Sequence, residues 1–158
     1  MQIIDSNDKE ILKILQQNAR TPNAEIARRV GLAPSAIFER IRKLEERGIV
    51  DGYTAHLNAR ALGQGLLAFV FVRSDESAGA KRTSALLSKI PEVQEVHHVA
   101  GEDCFLVKVR AVDTHDLGRV LRDQVGAIKT VRSTRTTIVL ETIKETAGIY
   151  IRDDEDHG

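Results

Sequence analysis

The chain has one cysteine, no tryptophan, three prolines, 4% aromatic residues and no net charge across its 158 positions. A single cysteine excludes an internal disulfide, and with it the small secreted scaffolds held together by such bonds. The longest apolar run, LLAFVFV at 66–72, is far short of the ~20 residues a membrane-spanning helix needs. The N-terminal MQIIDSNDKE lacks the basic-then-apolar pattern of a secretory signal, so the expected compartment is the cytoplasm. No repeat or low-complexity stretch is visible. A balance of 23 Lys+Arg against 23 Asp+Glu removes bulk attraction to a polyanion, which leaves only local surfaces for such a partner. The distribution is slightly uneven: residues 1–50 carry nine basic and seven acidic side chains, and the remainder fourteen and sixteen. Part of the acidic excess lies in RDDEDHG at 152–158, which reads as a solvated, mobile end.

With 42% apolar and 29% charged residues, the chain has the composition of a globular protein, either one domain or two small ones. Asp5 precedes NDKEILKILQQNA, in which Ile11, Leu12, Ile14 and Leu15 have helical spacing, so a helix is expected over about 6–18. Thr21 and Pro22 supply a cap and a first-turn proline for a second helix with Ile26, Ala27 and Val30 inward, ended by Gly31. Pro34 opens a third, PSAIFERIRKLEER, stopped by Gly48. Ala33 stands where a Ser or Thr cap would be expected, an omission worth about 1 kcal/mol. The tight connection between the last two helices predicts a helix-turn-helix.

On the third helix Ile37, Ile41 and Leu44 form the inward stripe. Ser35, Ala36, Glu39, Arg42 and Lys43 fall opposite, with Arg40 on the flank, placed to reach a phosphate or a neighbouring carboxylate. Small residues near the N-terminus allow close approach to a major groove, and Arg and Lys suit guanine edges or phosphates. The plain alternative is a solvated face with a Glu39–Lys43 i,i+4 pair worth a few tenths of a kcal/mol. Phe38 is expected to pack at the helix edge.

Residues 48–65, GIVDGYTAHLNARALGQG, read as a short strand followed by a linker. Beyond it come a strand at 66–73, a helix over AKRTSALLSKI, strands at 93–100 and 104–111, a helix from the Asp113 cap to about 125, and a last strand, VRSTRTTIVLETI. The order βαββαβ predicts a ferredoxin-like sheet with both helices on one face, giving an α+β protein. On the first strand both alternating sets are apolar: Leu67, Phe69 and Phe71 on one side, Ala68, Val70 and Val72 on the other. Helices cover only one set, so the other is expected to pack on a second copy of the sheet in a homodimer.

The segment EVHHVAGEDCFLVKV at 95–109 puts two histidines, two carboxylates and the cysteine close together. A two-residue turn at 101 and 102 pairs Val99 with Cys104 and His98 with Phe105, which sends His97 and His98 to opposite faces and excludes a metal held by both. Cys104 is expected to be a small apolar filler, and no base-and-orienter arrangement for nucleophilic catalysis is evident. Gly101 permits close backbone approach, neighbouring amides can hold a carboxylate, and Glu102 or Asp103 can meet an ammonium group.

These parts, in this order, resemble the Lrp/AsnC or feast/famine family of transcription factors. The matching stretches are DSNDKEIL, LQQNAR, EIARRVGLAPSAIFERIRKLEERGIVDGY, PEVQEVHHVAGEDCFLVKV and TRTTIVLETIK. The resemblance implies a winged helix-turn-helix at 1–50, a hinge at 51–65, a RAM-type effector and oligomerisation domain at 66–145, and a tail at 146–158. It implies double-stranded DNA as partner, dimers assembling to octamers, and an amino acid or related effector held near Gly101, Glu102, Asp103 and Cys104, with Thr134 and Thr136 bordering the pocket. Cys104 occupies the family's usual aspartate position, a departure that shifts or removes an ammonium contact. No cofactor, metal or catalytic residue is implied. Two other functions share the architecture: a tetrapyrrole decarboxylase, disfavoured by the few aromatics and the basic third helix, and a ligand-sensing adaptor without DNA affinity.

Overall fold

The computed structural model describes residues 4–76, 81–101 and 103–153. It divides into two units, one of Met1–His56 with Glu145–Gly158 and the other of Leu57–Lys144.

The first unit contains α1 (Ser6–Gln17), α2 (Asn23–Val30) and α3 (Pro34–Glu46). Asp5 caps α1 by accepting from the Asp8 amide at 2.8 Å. Thr21 does not cap α2. Its hydroxyl donates to the Asn18 carbonyl at 2.8 Å, and Pro22 takes the cap position without a side-chain bond. Gly31 closes α2 at φ +76°, a left-handed conformation that suits glycine, and α3 begins at the uncapped Ala33. Ile11, Ile14, Ile26, Ala27, Ile37 and Leu44 form the core, with Ile41 packed at its margin.

Arg40 joins α3 to α1, donating to Asp5 and to Asp8 at 2.7 Å each. The Asp8 side chain is only 11% exposed, so removing its cation leaves a nearly buried carboxylate unpaired. We expect Arg40→Ala to lower the stability of this unit by about 1–2 kcal/mol in denaturant titration, less than a fully buried pair because Arg40 itself is partly solvated. The Asp5 carboxyl sits below its ordinary value of 3.8, chiefly because it accepts the Asp8 amide and also because of Arg40. A depressed carboxylate contributes stability above its unfolded value, so this contribution disappears as pH falls below about 4. The acid transition should therefore move in Asp5→Asn.

Residues 51–58 carry no strand, and among the described residues the expected short strand has no partner. Tyr53 is anchored by donating to Glu45 at 2.8 Å, and partial burial, followed by this contact, pushes its hydroxyl up to about 12.

The second unit contains β1 (Leu66–Ser74), α4 (Arg82–Leu87), β2 (Val93–His98), β3 (Phe105–Ala111), α5 (Thr114–Arg119) and β4 (Val131–Ile138). The strands form one antiparallel sheet in the order β2-β3-β1-β4, the ferredoxin-like arrangement. Asp113 caps α5 as expected, accepting from the Asp116 amide at 2.8 Å. The helix then widens into a π-helical turn over Val120–Val125, with the Gly126 amide bonded to the Leu121 carbonyl five residues back. β4 ends at Ile138, five residues before the expected end.

Ala68, Val70 and Val72 are fully buried against Leu87, Leu117, Val120 and Val125. On the opposite face Phe69 and Phe71 are half-buried, whereas Leu67, expected to share their exposure, is 6% exposed. The β2–β3 register pairs His98 with Phe105 and His97 with Leu106, which places the two histidines on opposite faces. The His98 and Phe105 rings lie 5.3 Å apart at the core's margin.

The tail is not free. Gln16 on α1 clasps it at two points, donating to the Ile149 carbonyl at 3.0 Å and accepting from the Ile149 amide at 2.6 Å. Lys13 pairs with Asp153 at 2.6 Å. Of the end expected to be solvated, Arg152 and Asp153 are exposed and residues 154–158 lie outside the described residues.

Candidate nucleic-acid interface and effector turn

The inward stripe of α3 is fixed by Ile37 and Leu44, so its other side must face outward. Ser35, Glu39, Arg42 and Lys43 are exposed there, with Ala36 half-buried beside them. Arg42 donates to Glu39 at 2.8 Å and is paired with Glu46, one turn further along. Among the described residues Lys43 has no ion-pair partner. Arg40 belongs to a different group, since its guanidinium is occupied by α1. Phe38, expected to pack, is 55% exposed and adds a large apolar ring to the outward surface.

These positions suit groove reading for a physical reason. The pairs holding Arg42 are about half exposed, and such surface pairs are worth ~1 kcal/mol or less. A bidentate contact to guanine is worth about 1–3 kcal/mol, so a base edge outcompetes the glutamates. Glu39 can accept from a cytosine amino group and opposes nonspecific phosphate contacts.

The hairpin turn between β2 and β3 carries the second set of candidates. Gly101 has φ +130°, and a Cβ there would meet nothing within 4 Å, so glycine is required by backbone conformation and the space beside it is open. Glu102 lies outside the described residues. Asp103 accepts from Arg135 of β4 at 2.8 Å, and the Arg135 guanidinium lies 4.0 Å above the Phe71 ring. Cys104 is more than an apolar filler: its Sγ accepts from the Ser74 amide at 3.5 Å and donates to the Ser74 carbonyl at 3.4 Å, prolonging the attachment of β3 to β1.

Thr134 and Thr136 pair with Val72 and Val70, which places them on the helix-covered face, whereas Arg135 pairs with Phe71 on the other. The geometry thus gathers Asp103, Arg135 and Phe71, and leaves the two threonines on the opposite side of the edge strand. Sequence reasoning missed Arg135 and Ser74. Arg135 stands between the two threonines, but its contact with Phe71 depends on the β1–β4 register, which no local pattern specifies.

Residues 67–149 match the family described as the Lrp/AsnC ligand binding domain, and residues 4–51 match a winged helix-turn-helix DNA-binding family. The HTH-type transcriptional regulator FL11 of Pyrococcus horikoshii is 40% identical over 149 residues, covering 94% of this chain and 97% of that one. The chain belongs to the Lrp/AsnC family of transcriptional regulators. The leucine-responsive regulatory protein of Salmonella typhimurium is 35% identical, with 94% of this chain and 92% of that protein covered. Among solved structures, the Neisseria meningitidis transcriptional regulator NMB0573 in complex with L-Met superposes with a TM-score of 0.88 at 31% identity, covering 94% of this chain and 97% of that one. Both parts of an Lrp/AsnC regulator are therefore present, a DNA-binding helix-turn-helix and a sheet domain of the ligand-binding type. Among the described residues no helix is long and apolar enough to cross a membrane.

Proposed function

We propose that the exposed side of α3, through Ser35, Ala36, Glu39, Arg42 and Lys43, enters the major groove of double-stranded DNA while Arg40 braces the helix from behind. What carries this reading is the division of labour on one helix: Ile37 and Leu44 are locked in the core, Arg40 is held by two aspartates, and Arg42 and Lys43 remain exposed. Two copies pair through the Phe69 and Phe71 face of the sheet, setting two recognition helices about one DNA turn, ~34 Å, apart. Pairs of such dimers assemble further, toward an octamer, and wrap or bend longer sites.

An amino acid or similar zwitterion acts at the hairpin turn. The open space beside Gly101 supports this reading, as does the amino-acid ligand of the Neisseria relative. Asp103 reaches an ammonium group only by giving up Arg135, and Arg135 in turn is placed to meet the carboxylate. Such a ligand shifts DNA affinity only through its different affinities for the assembly states. The protein works by binding rather than by chemistry.

A thermal-shift panel of the twenty amino acids tests the sensor half of this reading. At least one should raise the melting temperature, and Gly101→Arg, which fills the open space, should abolish that rise. A panel with no response would remove the effector from the account.

A further inference from the structure

Phe38 is expected from its helical position to pack at the edge of α3, and it does not. Among the described residues of α1, α2 and α3 it alone is a large hydrophobic side chain left exposed; the isoleucines, leucines and valine of these helices are buried or half-buried. No cation covers the ring either. Among the described residues the one cation lying over an aromatic face is Arg135 on Phe71, and Arg42, one turn along from Phe38, is paired with Glu39 and Glu46.

At about 100° per residue, Phe38 stands about 40° from Arg42 and about 60° from Ser35 around the helix, on the edge of the outward side away from Ala36 and Lys43. Residues three and four apart on a helix have Cβ atoms ~5–6 Å apart, which is one to two base steps at ~3.4 Å. A helix seated in the major groove through Ser35 and Arg42 therefore brings the Phe38 ring to a base pair within about two steps of the one Arg42 meets. Most groups that base pairs show in that groove are hydrogen-bond donors or acceptors, which a phenyl ring would strip of water without replacing it. The apolar exception that projects into the groove is the C5-methyl of thymine.

We infer that Phe38 is a specificity-determining residue that packs on a thymine C5-methyl, so that each half-site carries a thymine close to the group met by Arg42. The occupant is double-stranded DNA because the exposed ring is continuous with the outward side of α3, within the segment 4–51 that matches a winged helix-turn-helix DNA-binding family. The inference rests on the groove reading proposed for α3 and names the base that this part of the helix selects.

The test measures affinity, by fluorescence anisotropy, for duplex from the protein's own upstream region prepared once with thymine and once with uracil at every thymine position. Uracil pairs alike and lacks only the methyl. Full-length wild type and Phe38→Ala are compared, with melting curves and sedimentation velocity to read fold and assembly. Burial of one methyl corresponds to roughly fourfold in affinity, so a wild-type dimer reading two half-sites should bind thymine duplex roughly 4- to 15-fold more tightly than uracil duplex. Phe38→Ala should bind the two duplexes alike. Equal wild-type affinity for both overturns the inference, as does an unchanged preference in Phe38→Ala, which would move the methyl contact to Ala36 or another group. A Phe38→Ala protein that loses its dimer also overturns it, because the ring would then belong to a contact between copies. If wild type binds neither duplex at any salt, the assignment of α3 fails and the inference with it; binding to both without preference leaves that assignment standing and removes the role of Phe38 alone.

Discussion

Phe69→Glu is expected to convert the protein to monomers and to lower its DNA affinity by orders of magnitude. Phe69 is half-buried on the uncovered sheet face, with Lys108 and Thr137 as its neighbours on β3 and β4. Within one protomer a glutamate at this position faces a lysine, so the fold survives. In a face-to-face dimer the same carboxylate enters an apolar contact twice, once from each copy, and each burial costs several kcal/mol. At ~1.4 kcal/mol per decade, dimer dissociation should strengthen by at least a thousandfold. Loss of the dimer leaves one recognition helix per molecule, and the second half-site no longer contributes. Sedimentation velocity reads the first effect and mobility shift the second. A variant that remains dimeric, or a wild type that sediments as a monomer, would transfer the pairing surface elsewhere.

The double variant Arg42→Ala, Lys43→Ala is expected to lose most specific binding while folding normally. Both side chains are exposed, and the ion pairs that Arg42 makes with Glu39 and Glu46 are worth little, so stability should change by less than about 1 kcal/mol. Each lost base contact costs about 1–3 kcal/mol. Because a dimer loses each contact twice, affinity should fall by about 100-fold or more. Any contact that was to phosphate rather than to base also flattens the salt dependence by about one unit of slope. Measuring affinity at several salt concentrations separates the two roles. Arg40→Ala should behave differently, with reduced stability and a DNA defect that follows from the loosened helix.

The elements that could be read from the sequence are those with strong local signals. The three N-terminal helices followed from apolar spacing and from Gly31 and Gly48, and the β2–β3 hairpin register followed from alternation on either side of Gly101. Features set by long-range or side-chain-to-backbone contacts were not accessible in this way. Thr21 has the right chemistry to cap α2 but bonds back to Asn18, a local competition that composition does not decide. The strand expected near residue 50 has no partner among the described residues, and propensity alone does not supply one. Arg40 lies on the flank of its helical wheel, and only the packing of α1 beside α3 shows that it is a brace. Cys104 and Ser74 meet because the β1–β3 register brings them together across thirty residues. Ile149 and Asp153 are held by one glutamine and one lysine of α1, contacts that no sequence pattern marks.

The central claim is that the outward side of α3 meets DNA. It is tested most directly by titrating the full chain onto duplex DNA from its own upstream region across a range of salt, beside the Arg42→Ala, Lys43→Ala form. The account predicts tight wild-type binding that weakens steeply with salt, and a double variant weaker by about two orders of magnitude. Identical curves for the two proteins, or no wild-type binding at low salt from a folded dimer, would contradict it.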